Sequence, residues 1–139
     1  MTLFEIIECI KDIAYGQTNI GQVVEGDVYN IMNSKGDVKY ASIVLTQGQH
    51  SQDEVYDNYQ FTIFYIDRLV DNLETNRLQI QSIGKEIIAN IIHILETVYD
   101  IEFDTIQFQP FTQKFLDECA GMYTTITLKT PKEVICDTY

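Results

Sequence analysis

The sequence predicts an α+β fold, a mainly antiparallel sheet packed against two helices. Three observations carry that expectation. Apolar residues recur at helical spacing near the N-terminus and again over residues 83–98. Between and after these segments lie runs rich in β-branched and aromatic residues, bounded by turn chemistry. The resulting order is helix, two or three strands, long helix, two strands.

In the first helix, Leu3, Phe4, Ile6, Ile7, Ile10 and Ile13 form one stripe, with Glu5, Glu8, Lys11 and Asp12 opposite. Thr2 suits the N-cap and Gly16 the stop. Residues 15–37 carry turn chemistry around Val28–Met32, which fits a short strand or a helical turn equally. Val38–Thr46 is expected as a strand, and Gln47–Asp57 as a polar loop or hairpin tip. Asn58–Ile66 (NYQFTIFYI) is the clearest strand. It is apolar on both faces, as a central or partner-covered strand would be.

Asp67–Asn76 is expected as a charged connection, and Arg77–Gln81 alternates like a short strand. Ser82 is the expected N-cap of the second helix, whose stripe is Ile83, Ile87, Ile88, Ile91, Ile92, Leu95 and Val98. Thr105–Gln109 is expected as a strand that stops at Pro110. Phe111–Gly121 follows as a loop or short helix, and Met122–Thr130 as the last strand, ended by Pro131. The 139-residue chain is expected to be one domain, with a core over about 2–130 and a C-terminal tail at 131–139.

Composition narrows the function classes. At 45% apolar and 22% charged residues, the chain is not expected to be disordered. No window approaches the ~18 uninterrupted apolar residues of a membrane span. The N-terminal MTLFEIIECIKDIAYG has no basic n-region, so no secretory signal is expected. Nine basic against 21 acidic residues give a net charge of −12. That opposes gripping nucleic acid or docking on an anionic membrane. It suits solubility, or a surface that nucleic acid passes without sticking. Cys9, Cys119 and Cys136 are odd in number and lack C-x-x-C spacing, which fits a reducing compartment better than a disulfide framework.

Candidate chemistry is sparse. His50 and His93 have no second ligand at metal spacing, so neither a metal nor a cofactor is expected. The acids Asp53, Glu54 and Asp57, and Asp67, Asp71 and Glu74, cluster in polar segments with no sign of a pocket that would split their pKa values. Cys119 in ECAG superficially resembles a nucleophile turn but has no base near it in sequence, and a small buried residue is the expected reading. The nine Tyr and seven Phe suit core packing or a protein interface, because stacking on single-stranded nucleic acid also needs a basic groove.

The strand NYQFTIFYIDRL, the segment NRLQIQSIGKEIIANIIHIL and the closing FTQKFLDECAGMYTTITL follow an amphipathic helix and a strand pair with a polar hairpin. Together they resemble phage tail-terminator and tail-completion proteins, and look like a neck-ring protein of crAss-like phages. The resemblance runs from about Val38 to Thr130. It implies a non-enzymatic virion protein with a tail-terminator-like fold, a ring-forming subunit of the head–tail connector present in about six or twelve copies. Its implied partners are other neck, portal or tail proteins, with DNA passing nearby without specific binding. It implies no cofactor and offers no active site to carry over.

The expected subunit contacts are Gln49, Tyr56, Tyr59, Phe61, Arg68, Phe111, Phe115 and Asp117, centred on the connections Gln47–Asp57 and Phe111–Glu118. Both connections are equally compatible with ordinary surface. Two other readings stand beside this one. The first is an acidic adaptor or inhibitor whose carboxylates converge on one face to mimic nucleic acid. The second is a small hydrolase using Cys119 or an acid pair.

Overall fold

A computed structural model describes residues 2–33, 38–69, 74–98, 106–115 and 117–131. The mainly antiparallel α+β expectation holds. Helix α1 spans Leu3–Tyr15, and the Thr2 hydroxyl accepts from the Glu5 N–H at 3.1 Å as N-cap. Ile6, Ile10 and Ala14 are its buried stripe, whereas Phe4 is 71% exposed and lies off it. Strand β1 (Gln22–Glu25) leads into α2 (Val28–Met32), which resolves the ambiguous segment as a helical turn. Asp27 caps α2 by accepting from the N–H groups of Tyr29 and Asn30.

Strand β2 covers Ser42–Gln47 only; residues 38–41 are not strand. A two-residue β3 (Ser51–Gln52) precedes β4 (Tyr56–Arg68), which is 13 residues long, roughly 44 Å. Helix α3 follows at Glu74–Val98, 25 residues and roughly 37 Å. Strands β5 (Phe108–Lys114) and β6 (Glu118–Pro131) close the fold.

Several boundaries differ from expectation. Arg77–Gln81 is not a strand but part of α3, and Ser82 is an exposed mid-helix residue rather than a cap. The buried α3 stripe runs Ile80, Gly84, Ile87, Ile88, Ile91, Ile92 and Leu95, leaving Ile83 47% exposed. Asp67 and Arg68 belong to β4 rather than to a connection. Pro110 does not stop a strand; it sits inside β5, where an edge strand tolerates the missing N–H. Most of Phe111–Gly121 is strand rather than loop or helix, the end of β5 and the start of β6, and between them the Phe115 N–H donates to the Asp117 carbonyl at 3.0 Å. The expected tail beyond Pro131, and Thr105, lie outside the described residues.

The sheet order is β1-β2-β4-β6-β5, with β3 also paired to β4. Among the described residues only β1 and β2 pair in parallel. As the apolar pattern anticipates, β4 is central, flanked by β2 and β3 on one side and β6 on the other. Helices α1 and α3 cover one face, packing on Ile43, Leu45, Phe61, Ile63, Tyr65, Met122, Ile126 and Leu128. Gly84 lets α3 approach closely: an added Cβ would lie 2.7 Å from the Tyr65 ring. On the other face a smaller cluster forms beneath α2, from Met32, Val44, Ile66, Phe115 and Cys119. This second cluster covers only one end of that face, and no other element among the described residues packs on the rest.

Candidate functional site

Strand alternation decides what the open face displays. Paired residues share a face, so the register of β4 against β6 brings Asn58 beside Lys129, Gln60 beside Thr127, Thr62 beside Thr125 and Phe64 beside Tyr123. The Thr62 and Thr125 hydroxyls are hydrogen-bonded at 3.0 Å. The β5 register adds Gln109, Phe111 and Gln113, and the β2 register adds Thr46 and Val44. Half-buried Phe64, Phe111 and Tyr123 form an aromatic cluster with ring centroids 5.2–6.1 Å apart. Gly121 makes it possible, since a Cβ there would meet the Tyr65 carbonyl and lie 2.9 Å from the Phe111 ring.

Next to this cluster, Tyr29 from α2 meets Phe115 edge-on at 5.7 Å. The two groups line an open groove of about 360 Å³, with Thr62, Gln113 and Thr125 at its polar margin.

The charges divide unevenly between the two faces. The strand carboxylates Glu25, Asp57, Asp67 and Glu118 all occupy positions on the helix-bearing face, sharing it with Leu45, Thr130, Ala120 and Met122. None of the described strand positions on the groove face is Asp or Glu. That face carries Arg68 at one end and Lys129 at the other. Asp27, Asp53 and Asp117 border it, and each carboxylate is held by a local hydrogen bond.

At the Arg68 end, the guanidinium lies over the Tyr40 ring, 5.5 Å from its centroid. The Tyr40 hydroxyl donates to Asp117 Oδ2 at 2.9 Å, and Cys119 Sγ donates to Tyr40 at 3.7 Å. Burial, reinforced by the hydrogen bonds to Cys119 and Asp117, pushes the Tyr40 phenol far above its ordinary range. Burial likewise raises the Cys119 thiol. Nucleophilic cysteines need the reverse, a stabilised thiolate. A hollow of about 250 Å³ reaches Cys119, lined also by Leu69, Thr112, Gln113 and Glu118, with no histidine. Among the described residues no group of His, Cys, Asp or Glu is placed to hold a metal ion. Nor is any helix long and apolar enough to cross a membrane.

The opposite end of the sheet is the β3–β4 hairpin. Asp53 N–H donates to the Tyr56 carbonyl at 2.9 Å, while Asp53 Oδ1 accepts from the N–H groups of Val55 (2.8 Å) and Tyr56 (2.6 Å). Those backbone bonds hold the Asp53 carboxyl below its ordinary pKa. The tip they build exposes Val55 (59%) and Tyr56 (41%).

The expected contact residues are scattered over the molecule. Gln49 and Tyr56 are exposed along the hairpin. Tyr59 is half-buried on the helix side, against the His50 ring. Phe61 is 0% exposed in the main core, so in this fold it has no surface to offer a neighbour; strand alternation turns it inward. Phe115 is 7% exposed and mostly spent on the α2 cluster. Phe111 lines the groove, while Arg68 and Asp117 meet around Tyr40. Sequence reasoning missed Phe64, Tyr123, Thr62 and Thr125 as members of one surface. The alternation of both strands was visible, but not their register.

No protein-family model matches the chain, and no curated protein matches it.

Proposed function

We propose that the protein is a ring-forming structural subunit of a phage head–tail connector, with a tail-terminator-like role in joining capsid to tail around the DNA channel. The observation that supports this best is the division of the sheet. One face is packed by α1 and α3, and the other, among the described residues, leaves an aromatic groove beside the sheet end that carries the short β3–β4 hairpin. A subunit whose job is assembly uses such surfaces, and the strongly acidic remainder suits the wall of a channel through which DNA slides. The proposed site of action is the virion neck, with assembly in the host cytoplasm.

The nucleic-acid-mimic reading finds less support. Glu5 and Asp12 lie on α1 and Glu86 and Glu96 on α3, Asp27 caps α2 across the sheet, and Glu54 sits at the hairpin tip. Among the described residues, the acids of α1, α3 and the strands lie on the helix-bearing side, but Asp27, Asp53, Glu54 and Asp117 lie apart from them, so no single surface holds them all.

Light scattering across protein concentration and salt tests the proposal. The expected result is a discrete species of about six or twelve copies. A chain that is monomeric at every condition and also fails to join a ring of its neck neighbours would overturn it.

A further inference from the structure

We propose that the groove face of the sheet is the acceptor for the β3–β4 hairpin tip of a second copy, so that subunits join head to tail. The inference rests on the ring reading above and names the two surfaces that would meet.

Two copies of a chain with net charge −12 repel each other over most of their surfaces. The groove face is where that repulsion is least, because none of its described strand positions is a carboxylate. It offers instead an uncovered aromatic cluster, a threonine margin and the Arg68 guanidinium. The hairpin tip is complementary in both respects. It projects two exposed apolar side chains, Val55 and Tyr56, flanked by the acids Asp53 and Glu54. An apolar knob bearing Asp53 and Glu54 thus faces an apolar hole whose described strand positions hold no carboxylate and which has Arg68 on one flank, the bordering Asp27 and Asp117 being engaged in hydrogen bonds.

The tip is also preorganised. The Asp53 carboxylate and N–H fix its turn, so little ordering remains to be done on docking. Tip and groove lie on different parts of one chain, and Tyr56 pairs with Pro131 at the end of β6 away from Arg68 and Cys119. Made once per subunit, with the tip of each copy seated in the groove of the next, the contact is heterologous. Repeated around a rotation that closes, such a contact makes a ring; without closure it makes a filament.

The test uses two surface variants and their mixture. Thr125→Glu places a carboxylate on the groove margin, at an exposed position. Val55→Ser with Tyr56→Ala strips the tip. Each should melt like the wild type, and each alone should scatter as a monomer under conditions where the wild type is assembled. Mixed in equal amounts, each pair retains one intact tip and one intact groove, so a 1:1 complex of twice the monomer mass should form and grow no further.

If the wild type assembles and both variants assemble as well as it does, this contact is wrong while the ring reading survives. Variants that abolish assembly but fail to complement when mixed overturn the head-to-tail geometry. A wild type that stays monomeric at the highest attainable concentration overturns the contact outright. A fluorescent oligothymidylate that binds the wild type and is released by Thr125→Glu would assign the face to single-stranded nucleic acid instead.

Discussion

Asp67 lies on the helix-bearing face of β4, opposite Ala120, with its carboxylate accepting from the Arg68 N–H at 2.8 Å. Burial raises its pKa more than that hydrogen bond and the Arg68 charge lower it. The native state therefore holds this proton to higher pH than the unfolded chain, whose carboxyl titrates near 3.8. The sign follows from linkage: stability from this group is greatest below the ordinary carboxylate range and falls as pH rises through the elevated pKa. Asp67→Asn keeps an acceptor for Arg68 and removes the charge. It should melt higher than the wild type at pH 7, with the margin shrinking toward zero below about pH 3.8. Melting curves from pH 3 to 8 check this, and a margin independent of pH would show that the buried charge is not the cause. The same carboxylate adds to burial in pushing the Tyr65 phenol up to about 12.

At the scale of elements, α3 shows how a close approach is bought with helix propensity. A helical glycine costs roughly 1 kcal/mol relative to alanine, so Gly84→Ala on an open helix would stabilise. Here the new methyl would sit 2.7 Å from the ring of Tyr65, which is 4% exposed, and 3.3 Å from Met122 Cβ. Overpacking of this kind typically costs about 1–3 kcal/mol. With the ring and Met122 both closing on the new methyl, the steric term is the larger, so Gly84→Ala should destabilise by up to about 2 kcal/mol in urea denaturation. The start of α3 was illegible in the sequence for a related reason. Leu78 and Ile80 alternate with glutamines over five residues, a pattern too short to separate the two periods. Only packing shows that Ile80 opens the buried stripe while Ile83 leaves it. Pro110 misled similarly, because its tolerance depends on β5 being the sheet's edge, which is a tertiary fact. Helix α1 and the two-faced β4, by contrast, were readable because Thr2, Ile6, Ile10 and the run from Tyr59 to Ile66 each carry a local signal.

Across the whole molecule, the informative feature is where the acids are missing. Each strand's alternation is visible in the sequence, but a face with no Asp or Glu at its described strand positions emerges only when the registers of β2, β4, β5 and β6 are fixed together. This arrangement sets how association should respond to salt. At 0.01 M ionic strength the screening length is about 30 Å, so two copies feel each other's full net charge; at 0.15 M it is about 8 Å, and only groups at the contact still interact strongly. An interface held mainly by ion pairs weakens throughout that range. A contact centred on the aromatic cluster, on a face whose described strand positions bear no carboxylate, gains instead, because distant repulsion fades while the aromatic burial persists. Self-association of the wild type should therefore strengthen between 0.01 and 0.15 M salt. It should level off toward 1 M, where a screening length of about 3 Å also dims the attraction between Arg68 and the tip acids. Sedimentation across this series reads the trend directly, and steady weakening from the lowest salt upward would place the subunit contact on the charged surfaces rather than on the groove face.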